Sequence, residues 1–87
     1  MRIKDGFVLR TVAGQHVAIA TGSQSKTFHG MVKLNDTGAA LWKALARNRS
    51  SEELTAVLVE DFGASPAQAA ADVADFVGQL QAEGFLA

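Results

Sequence analysis

The sequence predicts an α+β fold, in which a three-stranded antiparallel sheet is followed by three helices. Apolar residues alternate with a period of two as far as residue 34, which is typical of half-buried strands. From residue 35 onward they recur every three or four positions, as in amphipathic helices. The 87 residues are 48% hydrophobic and 20% charged, which suits one small core. We expect a single domain over residues 1–87, with strands at about 7–34 and helices at about 36–84.

The first two strands are predicted at residues 7–12 and 16–20, where β-branched and other apolar residues predominate. Gly14 and Gln15 lie between them and favour a tight turn of type II′. Residues 21–25 are polar, and we expect them to form the most mobile loop.

The third strand is predicted at residues 27–34, and its two faces differ. Alternation places one set of side chains on one face, namely Phe28, Gly30, Val32 and Leu34, and the other set opposite, namely His29, Met31 and Lys33. The strand carries one charge, and no fourth strand follows to pair with its far edge. An open strand edge of this kind either pairs with another strand or is shielded from such pairing. The alternatives are a bound partner strand, the chain's own N-terminus or a second copy of the domain.

Local signals mark the ends of the first two helices. Asn35 is a favourable N-cap for the first helix, which we expect to end in a left-handed turn at Asn48. Ser50 and Glu53 form the pattern of a capping box before the second helix, and Gly63 ends it. The predicted buried stripes are Leu41, Trp42 and Leu45 in the first helix and Leu54, Val57, Leu58 and Phe62 in the second.

The third helix has the clearest start. Ser65 caps it, Pro66 fits its first position, and Gln68 predicts a second capping box. Gly84 ends it, and Phe85-Leu86 should fold back onto the core. Its apolar stripe is Ala69, Val73, Phe76, Val77 and Leu80, and its polar stripe is Gln68, Asp72, Asp75, Gln79 and Glu83.

Catalysis has little support in the sequence. There is no Cys, so thiol nucleophiles and thiolate metal sites are excluded. His16 and His29 lie on separate predicted strands, and no nucleophile and base are expected to meet, so we predict no metal, no cofactor and no enzyme. The chain lacks both a signal-like start and an apolar run of about 18 residues, which favours a cytoplasmic protein without a membrane partner.

The element order is also typical of a winged helix-turn-helix, and charge decides what such a fold binds. All eight Lys and Arg residues lie within residues 1–49, whereas seven of the nine acids and no base lie within 50–87. In DNA-binding versions the last helix of the pair enters the major groove with basic and amide side chains. The third helix here is acidic and would be repelled by phosphates, so we expect no nucleic-acid partner.

One ordered set of motifs resembles the PqqD family. The first helix opens with Leu34-Asn35-Asp36-Thr37-Gly38-Ala39-Ala40-Leu41. The resemblance continues through Ser51-Glu52-Glu53-Leu54, Asp72-Val73-x-x-Phe76-Val77-x-x-Leu80 and Gly84-Phe85-Leu86. It covers residues 28–87 well and the first two strands by their pattern alone. No single piece is specific, but the ordered series is.

The resemblance implies a RiPP recognition element, a winged-helix-like domain without catalysis. Such domains bind the leader of a ribosomally synthesised precursor peptide and present it to a modifying enzyme, often a radical S-adenosylmethionine enzyme. In the family, the leader adds as a strand beside the third strand, in a cleft walled by the third helix. Carried onto this chain, the implied peptide-binding residues are Phe28, His29, Met31, Val32, Lys33, Leu34, Asp72, Phe76 and Gln79.

One departure bears on the pathway. Members that serve pyrroloquinoline quinone synthesis often have Asp-Gly after the first helix, where this chain has Arg47-Asn48-Arg49. The wider PqqD-like group also serves lasso peptides and other modified peptides, so the pathway stays open. The alternative function is a winged-helix module for protein–protein contact or dimerisation that binds no leader.

Overall fold

Three antiparallel strands followed by three helices form the chain, which confirms the predicted α+β class. The computed structural model describes residues 1–26 and 31–87, apart from the side chains of Ser23 and Lys26. The elements are β1 (Phe7–Val12), β2 (Gln15–Ala20), a 3-10 helix (Gly22–Lys26), β3 (Met31–Leu34), α1 (Asp36–Ala44), α2 (Ser51–Phe62) and α3 (Pro66–Glu83). The arrangement is compatible with a winged helix. No helix in the described ranges combines the length and apolar character that crossing a bilayer requires.

The sheet has the order β1-β2-β3, with both pairs antiparallel. The first hairpin turns at Ala13 and Gly14, because Val12 pairs with Gln15. Both turn residues have positive φ, 52° and 77°, as in a type I′ turn. The prediction of a II′ turn at Gly14 and Gln15 was therefore wrong by one residue. The observed register brings Thr11 opposite His16, whose side chains are hydrogen-bonded at 2.9 Å.

The segment between β2 and β3 differs from the expected loop. Residues 22–26 form a turn of 3-10 helix, in which the Ser25 hydroxyl donates to the Gly22 carbonyl at 2.7 Å. The predicted third strand is observed from Met31 to Leu34. Its expected first half, residues 27–30, lies outside the described residues.

The core lies between the inner face of the sheet and the three helices. The largest completely buried side chains of the described residues lie on the helices or, for Leu45, directly after α1: Leu41, Leu45, Leu54, Leu58 and Val73. Phe7, Trp42 and Phe85 form a cluster of edge-to-face rings, with centroids 5.1–6.0 Å apart. Phe85 is 3% exposed, which confirms that the C-terminal residues fold back onto the core.

The first helix ends earlier than predicted. α1 stops at Ala44, and Asn48 does not adopt the expected left-handed conformation. The carbonyls at this end accept local bonds from Ala46 and Arg47 and further bonds from residues outside this turn. The Ile3 N–H donates to the Leu45 carbonyl at 2.9 Å, and the Arg49 Nε–H donates to the Ala44 carbonyl at 3.3 Å. Because these donors satisfy the helix terminus, a left-handed cap is not needed.

The caps of the other two helices are largely as predicted. Ser50 and Glu53 form the capping box of α2, and Ser65 accepts from the Gln68 N–H at 3.2 Å at the start of α3. The second capping box was wrong, because the Gln68 side chain donates to the Asp72 carboxylate at 2.8 Å instead of reaching back to Ser65. A hydrogen bond to a charged acceptor is the stronger choice.

One residue of the predicted α2 stripe is exposed. Phe62 is 42% exposed, whereas Leu54 and Leu58 on the same stripe are buried. Phe62 is the last residue of α2 and is followed by exposed residues, so the spacing that places it on the stripe does not bring it under the core.

The two termini are joined. Ile3 and Leu86 form an isolated antiparallel bridge, the Lys4 N–H donates to the Phe85 carbonyl, and the Ala87 N–H donates to the Arg2 carbonyl, each bond at 2.9 Å. The N-terminal segment is thus paired with the C-terminus. This removes one alternative for β3, because residues 1–6 do not cover its edge.

Candidate functional site

A cleft of about 270 Å³ lies between the first turn of α1 and one face of α3. Its floor contains the buried side chains of Leu41 and Leu58. Its walls consist mainly of polar residues beside one aromatic ring, that of Phe76. The residues that line the walls are Asn35, Thr37, Gly38, Asp72, Asp75, Phe76 and Gln79. An apolar floor with a polar rim suits recognition of a side chain that is partly apolar.

Helical periodicity brings the α3 residues to the cleft. Asp72, Asp75, Phe76 and Gln79 lie at positions i, i+3, i+4 and i+7, so they form one stripe along the helix. All but the half-buried Phe76 are exposed. The sequence analysis named three of the four. Asp75 was assigned to the polar stripe but not to the site.

Gly38 lets the walls of the cleft approach each other. A Cβ atom on Gly38 would lie 3.5 Å from Phe76 Cε1 and 3.6 Å from Leu34 Cδ2. It would also lie only 3.0 Å from Oδ1 of Asn35, the side chain that caps α1. The end of β3, the start of α1 and the middle of α3 therefore meet around this glycine.

The second part of the candidate site is β3, which pairs with β2 on one side and with no described strand on the other. Val32 and Leu34 are partly buried against the core. Met31 and Lys33 are exposed and project from the opposite face of the sheet. Only the backbone of these two residues lies along the edge, so their side chains are directed away from the cleft. Phe28 and His29, the other predicted residues of the strand, lie outside the described part.

The cleft has a negative character. Asp72 and Asp75 lie on its rim, and none of the described residues that line it is basic. Asp72 accepts a hydrogen bond from Gln68, which leaves its carboxylate partly engaged. Residues 50–87 contain no Lys or Arg that could offset these charges. The cleft therefore favours a neutral or cationic partner.

A hydrogen-bonded group of Thr11, His16 and Asp36 contradicts one prediction. The His16 ring bridges the Thr11 hydroxyl at Nδ1 (2.9 Å) and the Asp36 carboxylate at Nε2 (2.8 Å). A hydroxyl and an imidazole therefore do meet, contrary to the prediction that no such pair could be built. None of these three residues lines the cleft, and the group links the first hairpin to the start of α1. We interpret it as structural.

The sequence analysis missed the α1 side of the site. Asn35 was recognised as a cap, and Thr37 and Gly38 as part of a motif, but none of them was assigned to the cleft. Their positions depend on how α1 packs against α3, which the spacing within one helix does not reveal. Within residues 1–26 and 31–87, no three His, Asp or Glu side chains are grouped as metal ligands.

Comparison with solved structures shows the same fold in two proteins. One is "TbiB1 in Complex with the TbiA(beta) Leader Peptide", with a TM-score of 0.76 and 19% identity, over 99% of this chain and 94% of that chain. The other is "Lasso peptide synthetase B1 complexed with the leader peptide", with a TM-score of 0.72 and 20% identity, over 97% and 93%.

Sequence comparison gives a family. No curated protein matches the chain. The family model described as coenzyme PQQ synthesis protein D (PqqD) matches residues 9–86, so the match extends into β1, further than the motifs do. It covers nearly the whole chain, and the chain therefore belongs to the PqqD family.

Proposed function

We propose that this protein binds the leader segment of a ribosomally synthesised precursor peptide, as an extended strand along the open edge of β3. One observation carries the proposal: the unpaired edge of β3 ends beside a cleft with an apolar floor, where Leu34 and Phe76 both approach Gly38. The two solved structures of the same fold, both complexes with leader peptides, support it.

Strand addition explains how so small a protein can hold a peptide. The backbone of β3 supplies hydrogen-bond donors and acceptors at every second residue, which gives affinity. Side chains of the added strand alternate, so that one set points toward the helices. There the cleft can accept an apolar side chain over Leu41 and Leu58. Specificity then depends on the rim.

We assign the rim of the cleft to partner selection. Asp72 and Gln79 would contact polar or cationic groups of the leader, and Phe76 would pack against its apolar side chains. Val32 and Leu34 form the adjoining apolar surface. Residues 1–87 would act as one cytoplasmic domain without catalytic activity or cofactor. The modification itself would belong to a partner enzyme, such as a radical S-adenosylmethionine enzyme.

A backbone scan of the ligand tests the binding mode. The probe is a synthetic leader of the short precursor encoded nearest to the gene of this protein, with one residue at a time replaced by its N-methyl form. In strand addition, only every second amide of the peptide faces β3. We expect calorimetry to show losses with a period of two, each about 1–3 kcal/mol because a β3 carbonyl is also left unpaired. A period near 3.6 would mean that the peptide binds as a helix.

Placing a positive charge on α3 tests the assignment of the cleft. Asp72→Lys and Gln79→Lys should weaken leader binding severalfold while leaving the melting temperature nearly unchanged, because both residues are exposed. Glu83→Lys is the matched control, since Glu83 is exposed on the same helix but does not line the cleft. Equal effects of all three substitutions would indicate a general charge effect and would contradict the assignment. No binding of the leader by the unmodified protein would contradict the function itself.

A further inference from the structure

The face of the sheet opposite the helices is a second surface that the leader site does not use. On the inner face, Phe7, Leu9, Ala18 and Val32 pack with the core. Alternation and the strand register place the intervening residues on the other side in two rows across the sheet. Two rows, Val8-Ile19-Met31 and Arg10-Val17-Lys33, form this outer sheet face.

The outer sheet face is largely apolar but unevenly exposed, since Val17 at its centre is 6% exposed and Val8 and Ile19 are half-buried. Among the described residues, the large hydrophobic side chains with the highest exposure are Val12, at 60%, and Met31, at 58%. Met31 belongs to the first row, and Val12 lies on the same face next to Arg10, at the turn. Val12 and Met31 thus leave apolar surface exposed on both edge strands of this face, where a partner could pack.

Two bases border this apolar surface. Arg10 and Lys33 flank Val17 in the register, one on each neighbouring strand, so their Cα atoms are about 10 Å apart. In the part of the chain that the structure describes, neither forms an ion pair. A partner that lies across this row would bring its own groups next to both cations. Carboxylates beside an apolar strip are the complementary chemistry.

We propose that the outer sheet face binds an amphipathic helix of a partner protein, with carboxylates on both sides of its apolar stripe. A helix on this face would add a third layer to a fold that has helices on one face of its sheet. Six-residue strands span about 20 Å, which matches about 13 residues of helix.

A second copy of the chain fits this face poorly. Two copies related by a two-fold axis would place Arg10 and Lys33 against the same cations of the other copy. A head-to-tail contact with the acidic α3 would cover the cleft and would lead to a ring or an open filament of copies. The charges therefore favour a different protein. If the proposed function holds, that protein is the modifying enzyme, and only this identification rests on it.

The probe is a synthetic helical peptide of about 16 residues, with Leu at positions i, i+3, i+4 and i+7 and Glu on both borders. Its matched control carries Lys in place of each Glu. Titration of the isotope-labelled protein should shift the amides of β1, β2 and β3 and spare α3. The Glu-bordered peptide should bind at least about fivefold more tightly than the Lys-bordered one, and added salt should weaken it.

Protein variants complete the test. Arg10→Glu should weaken the Glu-bordered peptide severalfold, Val12→Ser should also weaken it, and Arg47→Glu, an equal charge change on an exposed residue elsewhere, should not. Leader binding should survive Arg10→Glu, so a failure here and a failure of the proposed function can be told apart.

Several outcomes would overturn the proposal. These are amide shifts confined to α3, equal binding of both peptides, and a dimer in sedimentation that Arg10→Glu dissociates, which would assign the face to a second copy. If anionic vesicles or duplex DNA bound more tightly than the Glu-bordered peptide and shifted the same amides, the face would be assigned to a membrane or a nucleic acid.

Discussion

Asn35 determines both where α1 starts and how one wall of the cleft is shaped. Its Oδ1 accepts from the Gly38 N–H at 2.8 Å and from the Thr37 hydroxyl at 3.0 Å. The same three residues line the cleft. A single side-chain oxygen therefore satisfies a free helix amide and holds part of the candidate binding surface in place.

Removing this cap should affect stability and binding together. Asn35→Ala should lower the free energy of unfolding by about 1 kcal/mol, because the Gly38 amide loses its acceptor. Asn35→Asp keeps an acceptor and adds a negative charge at a helix N-terminus, so it should stay close to the native stability. Urea denaturation followed by the fluorescence of the buried Trp42 measures both variants. Equal losses of unfolding free energy in the two variants would show that the side-chain acceptor at this position does not stabilise the fold.

Ala13 carries backbone strain that can be relieved. Its φ of 52° lies in the left-handed region, which costs an L-residue with a Cβ about 1–2 kcal/mol. Asn tolerates this region and precedes Gly in the most favourable type I′ turns. Ala13→Asn should therefore raise the free energy of unfolding by about 0.5–1 kcal/mol in the same assay. Ala13→Val, which tolerates the region least, should lower it. The opposite order would contradict the observed turn.

At the scale of elements, local chemistry was predictable where a helix end depends on neighbouring residues. The Ser50 capping box and the left-handed Gly63 and Gly84 follow from patterns a few residues long. The end of α1 does not, because the Leu45 carbonyl accepts from the N–H of Ile3, more than forty residues away, and the Ala44 carbonyl from the Arg49 side chain.

The same distinction holds for the candidate site. Its α3 stripe was visible as helical spacing, whereas its α1 wall depends on the packing of α1 against α3.

The capping box of α2 should make part of the stability depend on acid. The Ser50 amide, which donates to the Glu53 carboxylate, and the Arg49 guanidinium lower the pKa of Glu53 below its ordinary value of 4.5. A lowered pKa means that folding favours the ionised form. This contribution is therefore complete above pH 4.5 and is lost as the pH falls through the lower value of the folded state.

Glu53→Gln isolates this contribution. Gln retains the capping pattern but cannot ionise, so the variant should lose less stability than the native protein when the pH is lowered from neutral to acid. Glu52→Gln, one residue earlier in the same turn, is the control and should keep the native pH dependence. Thermal unfolding measured at a series of pH values compares them. Identical curves for the native protein and Glu53→Gln would rule out the proposed linkage.

At the scale of the whole molecule, the two ends of the chain close one fold. The bridge between Ile3 and Leu86 brings the first residues under α1 and the last ones against the sheet. Neither residue belongs to a predicted strand, and their pairing joins positions more than eighty apart, so no local pattern could have revealed it. The sequence predicted only that Phe85-Leu86 must fold back onto the core, because both residues are large and apolar.

Phe85 should therefore matter far more than its place near the end of the chain suggests. Its ring packs edge-to-face against Phe7 and Trp42, at centroid distances of 5.1 and 5.6 Å. Phe85→Ala should cost about 3–5 kcal/mol, because it removes a buried ring and leaves a cavity between the sheet and the helices. That loss is comparable with the whole stability of a small domain, so a large unfolded fraction is expected even without denaturant.

Phe62→Ala provides the matched comparison, since the same atoms are removed from a side chain that is 42% exposed. It should cost about 1 kcal/mol or less, because little packing is lost. Urea denaturation followed by far-ultraviolet circular dichroism measures both variants, and the bound leader should partly restore the fold of Phe85→Ala by mass action. Similar losses for the two substitutions would mean that the C-terminal residues do not close the core.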